Sequence, residues 1–281
     1  MTVPTAVQLR RGLLAVSVLQ DIDIVPGSRG LVLSGDPDVP ISFRECRHAL
    51  AGHDPESAEG RERLGRWLLT RRWAAGLTRD QLRNRLRPVG LPVEHVLHPG
   101  LDWVRRRVLG DALDLGIGAV DIDPADPDHV VPLPPPVLAA AGLDPEHEWP
   151  DAEIYLERMG RLAADRLSLQ AKGQLRPIGD CDVLTLLGSR PLRQAIAAQF
   201  GGMGAVVAPM RTRGWTRLAA IDPAFGPAAA RATSNLERGF SRPLLVTSDE
   251  LAQVPEGGHP EQIVLREPQY DEPWLKDALY R

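Results

Sequence analysis

Leu9, Leu13, Leu14 and Val18 recur at helical spacing and predict a first helix over Ala6 to Leu19. Two short apolar runs follow, Gly30-Leu-Val-Leu-Ser and Val39-Pro-Ile-Ser-Phe, separated by Gly35-Asp-Pro-Asp. That turn chemistry between β-like runs predicts a hairpin. Ser42 with Glu45 makes a capping-box pattern that starts a helix through Ala51. A long helix over 57–75 carries Leu64, Trp67, Leu68 and Trp73, and Thr78 with Gln81 opens another helix through Arg87. The next helix is expected to run from near Asp102 to the glycine-rich Leu115-Gly-Ile-Gly.

Eight prolines between Pro124 and Pro150 then break the helical pattern, and this stretch is expected to form neither a helix nor a central strand. It reads either as a linker or as an extended segment packed through Val130, Val131, Leu133, Val137 and Leu138. Beyond it, Asp151 is expected to cap an amphipathic helix with Tyr155, Met159, Leu162 and Leu167 on one stripe, and a further helix starts at Asp180. The remainder alternates. A strand over 205–210, a helix near 216–231, a strand over 242–247, a short helix from Ser248 and a strand over 262–266 are expected. The whole reads as an α+β fold. It has a mainly helical region with a small hairpin over 1–123, a proline-rich acidic connecting segment over 124–150 and an α/β-like layer of a few strands and helices over 151–281.

Charge changes the picture more than composition does. Residues 61–107 hold twelve Arg against Glu62, Asp80, Glu94 and Asp102, a net of +8, whereas 108–157 hold twelve acidic residues and no Lys or Arg, a net of −12. The formal charge of the chain is −4, so the rest of the sequence balances. The cheapest use of two adjacent blocks of opposite sign is internal pairing, and the next is association with a protein partner or another copy of the chain. Of 33 basic residues only Lys172 and Lys276 are lysines, so arginine identity carries little information by itself, although its placement does.

Two cysteines, Cys46 and Cys181, are too few for a disulfide scaffold and favour a reducing compartment. The apolar run Gly12–Leu19 is too short to span a bilayer, and Gln20-Asp21-Ile22-Asp23 is a poor cleavage site, so a soluble cytoplasmic protein with no membrane partner is expected.

Several patterns bear on chemistry. The arginine-rich helices joined at Ala75-Gly76-Leu77 imitate a helix-turn-helix, with Arg79, Arg83, Arg85 and Arg87 on the second helix. Gly76 at the turn puts Arg72 where such motifs bury a small residue, and the net charge is negative, so nucleic acid is not the expected partner. His95 and His98, with Cys46, His48 and His53 upstream, match no zinc spacing. Asp180-Cys181-Asp182 has the form of a Mg²⁺ element, but an N-cap explains it without a ligand. No metal or cofactor is therefore expected. No Gly-x-Ser-x-Gly elbow occurs, and Gly201-Gly202-Met203-Gly204 lacks the lysine of a phosphate loop.

The most specific pattern is Leu187-Gly188-Ser189-Arg190-Pro191-Leu192-Arg193. Gly188 ends one helix, Ser189 can cap the next through its hydroxyl, and Arg190 and Arg193 stand beside free first-turn amides that favour an anion. Arg211, Arg213 and Trp215 follow a strand and complete a candidate ligand-binding set if the fold brings them alongside. Two functional classes follow. The leading one is a non-catalytic regulatory or assembly protein, acting through macromolecular interaction or self-association of the 61–107 and 108–157 blocks. The alternative is an enzyme or binding protein for a phosphate- or carboxylate-bearing small molecule, held by Ser189, Arg190, Arg193, Arg211, Arg213 and Trp215.

Overall fold

The computed structural model describes residues 3–27, 30–35, 38–169, 173–217 and 224–255. The strand expected over 262–266 lies outside the described residues, as does part of the helix expected near 216–231. The class is α+β, with nine α-helices and three antiparallel sheets among the described residues. The chain divides into two compact units, one formed by Met1–Arg87, Val96–Val104 and Ile117–Pro150, the other by Pro88–His95, Arg105–Gly116 and Asp151–Arg281. None of the described helices is long and apolar enough to cross a membrane.

In the first unit, α1 (Ala6–Gln20) opens with a capping box in which the Thr5 hydroxyl accepts from the Gln8 amide and the Gln8 side chain accepts from the Thr5 amide. It packs against α3 (Ala58–Ala75) through Leu9, Leu13 and Val16. The expected stripe is half right. Leu9 and Leu13 are buried, but Leu14 and Val18 face solvent, because the contact with α3 selects only one side of the helix.

The hairpin is present as β2 (Gly30–Leu33) and β3 (Val39–Ile41), and β1 (Ile24–Gly27) adds an antiparallel edge strand that the sequence pattern did not reveal. Pro26 is tolerated there because an edge strand need not donate on its outer side. Helix α2 (Phe43–Leu50) is capped by Ser42 as expected, while Glu45 turns to pair with Arg71 rather than to close the box. Helix α4 (Arg79–Arg85) has the full Thr78/Gln81 box. These elements close a core of Leu13, Leu33, Leu50, Leu64, Trp67 and Leu68.

Cys46 lies in that core, and its thiol pKa is pushed up to about 12 by burial, with the neighbouring Glu45 charge adding to the effect. The native state therefore keeps a proton that the unfolded chain loses near pH 9. Stability from this group is fully present below pH 9 and is lost as pH rises from there toward about 12. Both cysteines are free and buried, so neither is expected to react with an aromatic disulfide reagent at pH 8 until the chain unfolds. Rapid labelling of the native protein would contradict this placement.

The helix expected from Asp102 does not form. Leu101–Trp103 is a single 3₁₀ turn, and β5 (Arg106–Arg107) and β6 (Leu113–Ala119) are strands. Every residue of β6 is buried. A short, mostly apolar segment does not distinguish strand from helix by periodicity, and two internal glycines each cost a helix about 1 kcal/mol relative to alanine. In the strand Gly118 is needed for close approach, since a Cβ there would lie 2.7 Å from the Val131 carbonyl oxygen. Strand β4 (Leu86–Pro92) was likewise missed, and the sheet order is β4-β6-β5 with β7 (Val131–Pro132) paired to β6.

The proline-rich stretch is more regular than its composition suggests. Pro135 starts α5 (Pro135–Ala140) and Pro145 starts α6 (Pro145–Leu169), first-turn positions where a missing N–H costs no helical bond. Pro150 stands inside α6, so that helix begins six residues before the expected cap at Asp151. Val130, Val131, Leu133, Val137 and Leu138 are all buried.

In the second unit, α6 buries Ala152, Leu156, Met159, Ala163 and Leu167, whereas Leu162 of the expected stripe is exposed. After β8 (Gln174–Leu175) come α7 (Val183–Leu187), α8 (Arg190–Gln199), β9 (Gly204–Met210), β10 (Arg213–Trp215), α9 (Phe225–Ala232), β11 (Leu244–Val246) and β12 (Leu251–Gln253). The sheet order is β12-β11-β9-β10-β8, antiparallel throughout, and in its β9–β10 and β11–β12 pairs two- and four-residue connections return the chain directly. Helices α7, α8 and α9 pack on β9. The short helix expected from Ser248 is a turn instead. The Thr247 hydroxyl accepts from the amides of Asp249 and Glu250 and closes the β11–β12 hairpin.

Candidate functional site

The junction between α7 and α8 carries Ser189, Arg190 and Arg193. Asp182, not Asp180, caps α7, its Oδ1 accepting from the Thr185 amide at 2.7 Å. Asp180 sits in the preceding turn, where its carboxylate accepts from the Tyr155 hydroxyl at 3.2 Å. The Tyr155 pKa is raised, chiefly by burial. Ser189 is the N-cap of α8, as its position suggested, but its hydroxyl donates backward to the Leu186 carbonyl at 2.8 Å and accepts from no first-turn amide. That direction follows from its setting. Ser189 is fully buried against α6 at Gly160, and a Cβ on Gly160 would sit 2.0 Å from the Ser189 Oγ.

Arg193 points into this junction. Its Nη1 donates to the carbonyls of Leu187 (3.0 Å) and Gly188 (2.6 Å), and its Nε donates to that of Ser248 (3.2 Å). Leu187 and Gly188 end α7, so the guanidinium satisfies carbonyls that a helix C-terminus leaves open and meets the negative end of its dipole. Burial, and then the nearby Arg106 charge, lower the Arg193 pKa to about 10, which leaves it cationic near neutrality.

Arg106 completes the arrangement, although the sequence reading did not single it out. It donates to the Gly188 carbonyl at 2.8 Å and pairs with Glu153 at 2.5 Å and Glu157 at 3.4 Å. Glu157 Oε1 also accepts from the Arg190 amide at 3.4 Å, so the start of α8 already faces a carboxylate of this chain. The Arg190 side chain is exposed and pairs with Asp249 at 3.2 Å. Arg106, Arg190 and Arg193 are thus met by Glu153, Glu157 and Asp249. The signal for this was in the sequence: Glu153 and Glu157 are four apart on one helix, hence on one face.

Arg211, Arg213 and Trp215 take separate places. Arg211 is buried, with Nε donating to Asp182 Oδ2 at 2.6 Å, and its carbonyl accepts from the Val183 amide at 2.7 Å, which ties the end of β9 to α7. Arg213 is exposed on β10. Trp215 stands edge-on to Phe225 at 5.1 Å between ring centroids. The expected clamp of four convergent guanidiniums is replaced by buried arginines bound to internal acceptors and exposed ones on the rim.

The two charge blocks meet in the same way. Within the first unit Arg66 pairs with Asp123, Arg83 with Glu148 and Arg85 with Asp121. Within the second, Arg107 binds Asp114 through two bonds, Nε to Oδ1 at 2.6 Å and Nη2 to Oδ2 at 2.9 Å. The Asp114 bond raises the Arg107 pKa. Arg83 and Arg85 are thereby drawn off the helix that imitated a nucleic-acid reader. His95 and His98 lie in turns, both buried, with His98 edge-on to Trp103. Among the described residues no group of three or more His, Cys, Asp or Glu could hold a metal ion.

The first unit also holds a cleft of about 220 Å³, lined by Val39, Pro40, Arg71, Ala74, Val137 and Ala141 among others. Arg71 there pairs with Glu45, donates to the Pro40 carbonyl and lies over the Trp67 ring at 5.4 Å. Its charge is therefore matched from within. No protein-family model, curated protein or solved structure matches this chain.

Proposed function

We propose that this chain is a non-catalytic regulatory or assembly component of the cytoplasm that works by binding other macromolecules or its own copies. The observation that carries this reading is the outer face of α1, where Val7, Leu14 and Val18 are exposed at 61%, 45% and 83% opposite a face that is already buried in the core. An apolar stripe left in water on a helix with its core contacts complete is the usual mark of an interaction surface. The remainder of the charge blocks supports the reading. Within the first unit, Arg72 and Arg79 of the basic block and Asp126 and Asp128 of the acidic one are exposed and available to a partner. The competing small-molecule reading draws less support, because Arg193 and Arg211 are bound by internal acceptors.

Sedimentation velocity at low and high salt, combined with calorimetric titration of phosphate-bearing metabolites, tests the choice. The expected result is association that depends on concentration and weakens with salt, with no saturable metabolite binding. Metabolite binding that is lost in Arg190→Ala plus Arg213→Ala, both exposed positions, would replace this reading with the small-molecule one.

A further inference from the structure

We propose that α1 is a homodimerisation helix whose outer face docks antiparallel on the same face of a second copy, with Leu14 and Val18 interleaved and Arg10 of each copy beside Asp21 of the other. The inference rests on the interaction reading above and commits it to one partner and one orientation.

The apolar stripe runs along the helix and is crossed once, by the exposed Arg11 between Val7 and Leu14. At about 100° per residue, Val7, Leu14 and Val18 lie within about 40° of one another and point away from Leu9, Leu13 and Val16, which face the core. A helix already packed on one side normally carries polar residues on the other.

The charges on α1 argue for a second copy. The helix has no acidic residue in its first turn and no basic residue in its last. Instead Arg10 and Arg11 stand in its N-terminal half, and Asp21 and Asp23 follow its C-terminal end, with Asp21 as the left-handed cap. Asp21 and Asp23 oppose the helix's own dipole, which favours cations at its end. Arg10, Arg11 and Asp21 are exposed and, among the described residues, have no ion-pair partner. An antiparallel copy supplies the missing partner at each end and opposes the two dipoles. A parallel copy would set arginine on arginine and aspartate on aspartate.

The register follows from the spacing. Arg10 and Asp21 are eleven residues apart, which places them within about 20° on one flank of the stripe and about 16 Å apart along the axis. A two-fold axis midway between them keeps that flank on the same side, so Arg10 meets the copy's Asp21 at both ends. In the same register Leu14 falls beside Ser17 and Val18 of the copy. Such an isologous contact closes on itself and gives a dimer, not a fibre. A fifteen-residue helix is only about 22 Å long, so the contact is smaller than the roughly 1,200 Å² at which specific stable interfaces begin. The dimer is therefore weak and depends on concentration.

Sedimentation equilibrium of the full chain over a roughly hundred-fold concentration range is the test. The native mass is expected to rise toward twice that of the monomer. Val18→Glu, at a position with no core contact to lose, is expected to weaken association about tenfold or more. Arg10→Glu alone and Asp21→Lys alone are each expected to weaken it about fivefold, and the two together to restore it, because the pair is re-formed with its signs exchanged. Thermal midpoints check folding, and if Asp21→Lys disturbs its left-handed cap, Val18→Glu and Arg10→Glu decide. A native chain that stays monomeric throughout overturns the proposal, while binding to other macromolecules remains open. Association that survives Val18→Glu and both charge reversals also overturns it, and then the broader interaction reading stands with its surface elsewhere.

Discussion

Replacing Arg107 with methionine is expected to lower stability by about 3 kcal/mol. Arg107 is more than a third exposed, and an exposed ion pair ordinarily contributes about 0 to 1 kcal/mol. Its partner makes the difference. The Asp114 side chain is 0% exposed, in the middle of a strand buried along its whole length. Without Arg107 a carboxylate stays in the interior with its two-bond partner gone, and the part of its desolvation cost that the guanidinium offset is felt. Arg107→Lys keeps the charge but not the fork and should recover only part of the loss. Adding Asp114→Asn to Arg107→Met should recover much of it, since the buried charge is then removed. Urea denaturation at neutral pH reads all four proteins. A midpoint for Arg107→Met within error of the native one would show that Asp114 does not depend on this pair.

Gly160→Ala is expected to destabilise by about 1 to 3 kcal/mol, opposite in sign to the roughly 1 kcal/mol that helix propensity alone would give. The methyl group would sit 2.0 Å from the Ser189 hydroxyl oxygen and 2.4 Å from the Ser189 Cβ. Ser189 has no room to retreat, because it is fully buried and its hydroxyl is held by the Leu186 carbonyl. Either α6 moves away from the α7–α8 junction or the serine leaves its bond, and both disturb the carbonyls that Arg193 binds. Relief in a Gly160→Ala, Ser189→Gly double variant would place the strain between these two residues. A stabilised single variant would mean that α6 approaches the junction less closely than the geometry requires.

The local grammar of the helices was legible from residue types alone. Thr78 with Gln81, Ser42, and the apolar spacing of Leu64, Trp67 and Leu68 mark their helices because capping and periodicity act within one or two turns. The same reasoning fails at Leu113–Ala119, where a short, mostly apolar segment with glycines is compatible with two conformations and only pairing with neighbouring strands selects one. It fails again at Pro135 and Pro145, where proline starts a helix instead of excluding one.

The candidate site divides along the same line. The sequence by itself determined that a helix start would stand at Ser189, that arginines would flank it, and that two blocks of opposite charge would exist. Tertiary structure alone decided what those charges do. Glu157 on α6 reaches the α8 amides, Arg193 turns to the end of α7, Arg211 is bound by Asp182, and Asp114 is buried against Arg107. Tertiary packing also chose which side of α1 entered the core, leaving Val7, Leu14 and Val18 in water. The physical reason is range. Capping and helical periodicity are fixed by neighbours within about four residues, whereas the partner of a long charged side chain, or the side of a helix that is buried, is set by whichever element the fold brings within a few ångströms.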